Sequence, residues 1–248
     1  MDSTPTIDDA EINRFAQLAA QWWDESGPMG TLHALNPVRL TYIRDSLCEH
    51  FGRRTHQTKP LEGLSILDVG AGAGLLCEPL ARLGATVTGI DAAKENMAVA
   101  AAHARQMGLI IDYRNAQPED LKGQTWDAVL AMEVVEHVPD IDAFILATSN
   151  LIRPGGVFLG ATLNRTLRSL GLAVGIAEYV LRWIPRGTHD WRRFVRPAEF
   201  ASALRKAELQ VNEIPGVSFD AGTHGWRRSR DVSVNYMIRA VPVNKSVG

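Results

Sequence analysis

The stretch LDVGAGAGLL, residues 67–76, passes from a short β-type run into Gly70, Gly72 and Gly74 and then towards a helical pattern. A strand that empties into glycines before a helix is the opening βα turn of an open α/β sheet. Glycine lets such a turn tighten and lets a ligand approach the backbone, while the helix that follows offers free N–H groups. Downstream, Asp91 closes the run VTGID, 21 residues after Gly70. A carboxylate in that place can accept hydrogen bonds from both hydroxyls of a ribose. Loop and carboxylate together point to a nucleoside site.

Outward from this turn, short β-rich runs alternate with helical stretches, the signature of βαβ units and a parallel sheet. The expected strands are 65–69, 85–90, 109–113, 128–131 and 156–161, with 209–214 and 232–239 as a closing pair. Helices are expected over 9–24 and from Asn36, with Pro37 in the first turn. One domain over 1–248 follows: a helical cap to residue 60, a nucleotide-binding core over 61–162, an insertion over 163–196 and closing elements over 197–248.

Composition bounds the partners. At 248 residues and 46% hydrophobic content the chain suits a packed core, and its net charge of -2 gives no global reason for a polyanionic partner. No (D/N)PP(Y/F) follows the fourth strand and no basic, aromatic track covers the domain, so no nucleic-acid partner is expected. Cys48 and Cys77 lack disulfide or zinc spacing, and the acidic N-terminus lacks a secretory pattern; a cytoplasmic location is the expectation.

The loop reads GxGxG behind an acidic LDVG rather than GxGxxG. Asp68 would repel a pyrophosphate, whereas S-adenosylmethionine brings a cationic sulfonium and an amino group. A methyl donor is therefore favoured over a dinucleotide. Ligands of open α/β sheets lie outside the carboxyl ends of the strands, which gathers Gly70, Asp91 and Met132 around one crevice. Immediately beyond Met132, AMEVVEHV (131–138) places Glu133, Glu136 and His137 on one face if the next turn is helical. Such a trio can bind a metal, move a proton or cap a helix.

At this point the chain resembles a family. WWDESG, HALNPVRLTYI, LDVGAGAG, ATVTGID, MEVVEHVPD, PGGVFLGATLNR, GTHDWRRF and DVSVNYM together resemble the ubiquinone-biosynthesis O-methyltransferases over nearly the whole chain. The clearest departure is GAGAG where many relatives carry GCGGG. The resemblance implies a Rossmann-like class I methyltransferase fold of seven strands, mostly parallel, with an antiparallel last strand. It also implies methyl transfer from S-adenosylmethionine to phenolic hydroxyls of polyprenylated ubiquinone precursors, at two steps. By the same resemblance Arg39 joins Gly70, Gly72, Asp91 and Met132 in holding the donor. A guanidinium there could take the donor's carboxylate bidentately. Relatives from eukaryotes are thought to place magnesium on the residues matching Glu133, Glu136 and His137. Bottom-up, a phenol with a pKa near about 10 needs either a base or a divalent ion: His137 suits the first role through its near-neutral pKa, while Glu133 and Glu136 with His137 suit a hard cation sharing the catechol oxygens.

Residues 165–186 carry a different signal. As one helix, they would gather Arg165, Arg168, Arg182 and Arg186 within roughly 100° of arc, with apolar residues filling most of the rest. Seven arginines stand against Glu178, Asp190 and Glu199 over 161–200. The apolar centre is too short to span a bilayer, so a contact with an anionic membrane surface, peripheral on the cytoplasmic face, is the expectation, with a lid packed on the domain as its alternative. Rival functions are a methyltransferase for another small phenol or amine, and a noncatalytic donor-binding subunit of a ubiquinone-biosynthesis protein complex.

Overall fold

The computed structural model describes residues 12, 16–170, 191–220, 222 and 225–243. Residues 9–11 and 13–15 of the N-terminal helix expected over 9–24, the insertion's arginines Arg182 and Arg186, and the rest of 171–190 lie outside the described residues; the expected helix has already tightened to a 3-10 turn at Ala19–Gln21 and ended before Trp22.

The βα alternation read from the sequence closes into a single sheet. Its strands are β1 Ser65–Val69, β2 Thr86–Asp91, β3 Asp112–Asn115, β4 Trp126–Met132, β5 Ile152–Leu163, β6 Leu209–Glu213, β7 Gly216–Asp220, β8 Gly225–Ser229 and β9 Asn235–Pro242. The order is β3-β2-β1-β4-β5-β9-β7-β8, with β6 also paired to β9. β1 to β5 are parallel and β9 runs antiparallel to β5. β6 and β7 pair with successive parts of β9, Leu209–Glu213 opposite Arg239–Pro242 and Gly216–Val217 opposite Asn235–Tyr236. Ile214 and Pro215 interrupt what is otherwise one strand position, since proline has no N–H for a ladder. Seven positions therefore match the expectation, and β8 adds an eighth at the edge.

β1 and β4 are nearly or wholly buried, as strands covered on both faces must be. On one face α1 (Gly30–His50) and α2 (Cys77–Arg82) cover a core containing Tyr42, Leu130, Met132, Leu159 and Met237. On the other, α4 (Ile141–Ser149) and α5 (Pro197–Lys206) cover Val129, Phe158, Phe200 and Tyr236. α3 (Lys94–Gln106) follows β2.

Several bounds differ from the sequence reading. α1 starts at Gly30, and Pro37 lies inside it rather than in its first turn, where its missing N–H removes the helical donor to the His33 carbonyl. β3 starts at Asp112 rather than Leu109, because Leu109 N–H caps α3 on the Ala104 carbonyl and Ile110 is 98% exposed. β5 begins at Ile152 rather than at residue 156, so Arg153, Pro154 and Gly155 lie within it. Residues 133–138 form turns, not a helix; α4 begins only after its N-cap, Asp140.

Candidate active site at the carboxyl edge of the sheet

The glycine loop is built as its sequence demands. Gly70 and Gly72 have φ of 72° and 53°, and a Cβ on Gly72 would stand 2.3 Å from the Trp22 ring. Asp91, at the end of β2, accepts from Gly72 N–H at 3.0 Å, Ala93 N–H at 2.8 Å and the Asn96 amide at 3.2 Å. Burial raises its pKa against these bonds. Asn96 is oriented in turn by the Trp22 indole N–H, which donates to its Oδ1 at 3.1 Å. Trp22 thus roofs the loop and steadies the carboxylate behind it. The helix expected over 9–24 gave no hint of this role for Trp22, and Asn96 gave no sequence signal; the quoted WWDESG held the only clue.

Arg39 comes from the buried face of α1 and is 4% exposed. One guanidinium nitrogen donates to the Leu32 carbonyl and to Asn36 Oδ1 at 2.5 Å, while its Nε is a buried donor with no partner among the described residues. Burial lowers its pKa, opposed by the carboxylates of Glu133, Asp68 and Glu136. Asp68, 2% exposed, accepts from the Cys77 thiol at 3.3 Å, and burial pushes its carboxyl up to about 7. Its negative charge is therefore tempered at neutral pH, which weakens the repulsion on which the choice of donor was based.

Met132 ends β4, buried within the α1-side core and opposite Ala161 of β5. Glu133 follows in a left-handed conformation, φ 57°, with its N–H on the Ala161 carbonyl at 2.9 Å. Its carboxyl lies 3.5 Å from the Asn235 amide. Burial and the Glu136 carboxylate push Glu133 up to about 7, against the pull of Arg39. Glu136 is buried and turned to Thr162, whose hydroxyl donates to it at 2.7 Å. His137 is part-buried, with its N–H on the Val134 carbonyl at 2.8 Å.

The trio therefore shares a neighbourhood but not the helical face expected of it, since residues 133–138 are turns. Among the described residues no three His, Cys, Asp or Glu side chains form a group able to hold a metal ion. The expected magnesium does not fit this arrangement: Glu133 is directed to Asn235 and Glu136 to Thr162. Gly70, Gly72, Asp91 and Met132, by contrast, do meet at the carboxyl ends of neighbouring strands, with Arg39 joining them from α1. Asn235 was missed, although DVSVNYM had been singled out, because nothing in the sequence pairs it with Glu133.

Comparison with known proteins gives the class and then the family. A methyltransferase-domain profile matches residues 67–160. The magnesium protoporphyrin IX methyltransferase of Synechocystis, solved with bound SAH, superposes with a TM-score of 0.64 at 16% identity, covering 95% of this chain and 99% of that one. The DhpI–SAH complex superposes with a TM-score of 0.63 at 18% identity, covering 98% and 100%. The architecture is the Rossmann-like fold of class I S-adenosylmethionine-dependent methyltransferases. Ubiquinone biosynthesis O-methyltransferases of Methylobacterium nodulans and Mesorhizobium japonicum are 54% and 52% identical to this chain over 95% of its length, spanning 96% and 95% of their own. The chain belongs to the ubiquinone biosynthesis O-methyltransferase family, and is an S-adenosylmethionine-dependent O-methyltransferase.

Proposed function

We propose that the protein methylates phenolic hydroxyls of polyprenylated ubiquinone precursors, at both O-methylation steps, with Glu133 as the base. The observation that carries this is the Glu133 carboxyl, raised to about 7, at the strand end beside Met132. The donor is held by the Gly70–Gly72 loop, by Asp91 at its ribose and by Arg39 at its carboxylate. Arg39 suits that role because its buried Nε lacks an acceptor among the described residues, and an incoming carboxylate would supply one.

A phenol near pKa about 10 is mostly protonated at neutral pH. A carboxylate of pKa near 7 is a stronger base than an ordinary glutamate and is still ionised above neutrality. Glu133 takes the phenolic proton as the oxygen attacks the sulfonium methyl in line; the C–S bond breaks, the C–O bond forms, and neutral S-adenosylhomocysteine leaves. The Asn235 amide holds Glu133 in place, and burial, aided by the repulsion of Glu136 fixed by Thr162, keeps it basic.

Incubating the purified protein with labelled donor and a short-chain prenyl catechol tests the reaction class: labelled methyl ether is expected, and donor binding without transfer would leave only a noncatalytic subunit. No step here runs through magnesium. The rate is expected to survive exhaustive chelation; a rate that collapses and returns with magnesium would overturn the metal-free base.

The reading also places the protein on the cytoplasmic side at an anionic membrane surface, supported by the arginine pattern of 165–186. Of those arginines, Arg165 pairs with Glu199 and Arg168 with Asp231 at 2.7 Å, which commits both to the domain. No helix among the described residues is long and apolar enough to cross a membrane. Flotation with phosphatidylglycerol vesicles, before and after deleting 165–186, tests the surface contact. A ubiquinone-biosynthesis protein complex would be tested by co-purification of the intact protein.

A further inference from the structure

The β7–β8 pair has no counterpart in the sequence reading, and its register gives it a place relative to the reaction. β9 begins at Asn235, opposite Leu163 of β5 and Val217 of β7. β7 continues past that point to Asp220, paired with β8, so residues 218–220 and 225–227 overhang the carboxyl edge of the sheet. Donor loop, Met132 and Glu133 lie at this same edge.

Alternation along the strands decides which face the overhang presents. Val217 belongs to the same core cluster as Met132, Ala161, Met237 and Tyr42, with Trp226 packed against it. Arg228, opposite Val217, lies over the Tyr42 ring of α1 at 5.5 Å. Phe219, two residues beyond Val217 and opposite Trp226, therefore shares their face. Phe219 and Trp226 form an edge-to-face pair, ring centroids 5.6 Å apart, and Phe219 is 54% exposed.

Read across the sheet, this face runs from buried Met132 on β4, through Glu133 and Asn235, to Val217 and the aromatic pair. With strands about 4.8 Å apart and about 3.3 Å per residue along them, Phe219 stands three strand spacings across from Met132 and four residues further along, roughly 20 Å away, and Trp226 four spacings across at the same level, roughly 23 Å. That is several ring widths from where the methyl group is delivered. An acceptor ring held at Glu133 does not reach the pair, but a chain attached to the ring does. The surface is apolar and aromatic apart from Glu133 and Asn235, where hydroxyls must sit, and Arg228, which lies over the Tyr42 ring.

We infer that Phe219 and Trp226 hold the isoprenoid chain of the acceptor, whose ring lies between Met132 and Asn235. The inference rests on the acceptor class proposed above and adds the residues that read its tail. Isoprene units are apolar and unsaturated, and stack on aromatic rings while removing them from water.

The experiment compares two acceptors in detergent with the full-length protein: a catechol carrying several isoprene units and the same catechol without the chain. Phe219→Ser removes an exposed ring and leaves the core intact; Trp226→Leu is the second variant. Each is expected to raise KM for the tailed catechol by about tenfold, the loss expected for part of a buried apolar contact, with kcat, donor affinity and KM for the tail-free catechol unchanged. Active wild-type protein whose variants show no KM change, or an equal change for both catechols, overturns the inference alone. Wild-type protein inert towards both catechols overturns the acceptor class and this inference with it. A KM rise found only with vesicle-embedded acceptor would assign the aromatic pair to the membrane surface instead, and also overturns it.

Discussion

At the residue scale, Glu133 combines two costs that ordinary packing would avoid: a left-handed backbone on a non-glycine residue and a carboxyl crowded by Glu136. The backbone alone costs about 1 kcal/mol or more. Glu133→Gly is expected to raise the unfolding free energy by about 1 kcal/mol in denaturant melts while abolishing most turnover. Glu133→Gln should lower kcat by roughly 10²–10⁴, the span typical of a lost general base, and leave donor affinity intact. Because the raised pKa puts the basic form above neutrality, kcat/KM for the acceptor should climb as pH rises through about 7. That limb should vanish in the Gln variant. At Gly72, φ 53° and the Trp22 ring leave no room for a methyl group. Gly72→Ala should cost about 1–3 kcal/mol of stability and weaken donor binding, read by calorimetry. The glycines and Asp91 were legible because their chemistry is local to one βα turn. The Trp22–Asn96–Asp91 relay and the Glu133–Asn235 contact join residues 74 and 102 positions apart, which no local pattern reports.

Among the elements, the segment between β4 and α4 shows where pattern reading fails and why. Glu133, Glu136 and His137 have helical spacing, yet Pro139 disfavours helical backbone at Val138 and cannot donate, so the helix starts only at Ile141. Asp140 then caps it, its carboxylate accepting from Ala143 N–H at 3.1 Å. Asp140→Ala should lower stability by about 1 kcal/mol with kcat unchanged, separating the cap from the chemistry just upstream. In α1 the same residue type misled in the opposite sense. Pro37 read as a first-turn proline, whereas His33 N–H already bonds the Met29 carbonyl at 3.1 Å and the helix is under way. β8 was overlooked because GWRRS lacks an apolar alternation; it is an edge strand, where exposed arginines are ordinary.

For the whole molecule, strand alternation sufficed to identify the parallel half of the sheet, while its order β3-β2-β1-β4-β5 came only with the structure, since the one allowed hand of a βαβ crossover fixes the side of each helix and not the sequence of neighbours. The antiparallel half was only partly legible, because its pairing depends on the break at Ile214-Pro215 and on the long-range register of β9. The buried carboxyls leave a global signature. Asp68 and Glu133 titrate near 7 in the folded protein against 3.8 and 4.5 for ordinary side chains, so the folded state binds more protons than the unfolded one between those values. Stability should therefore fall as pH rises from about 4 to about 7 and then level off. Denaturant titrations across that range should show a shallower slope for Asp68→Asn. Exposed Asp24, Glu49 and Asp231, whose pKa values are lowered, act in the other direction and are screened by solvent.

The overhang of β7 and β8 has a kinetic consequence. These strands join the rest of the sheet at only Gly216 and Val217, while β1 is laddered on both sides to β2 and β4. Amides of 218–220 and 225–229 can thus open without unfolding the domain, and should exchange with deuterium long before those of β1. If a bound isoprenoid chain bridges this flap to the core, exchange in the flap should slow when the acceptor is present and β1 should remain unchanged. Ligand occupancy would then be legible in the rate at which one edge of the sheet breathes.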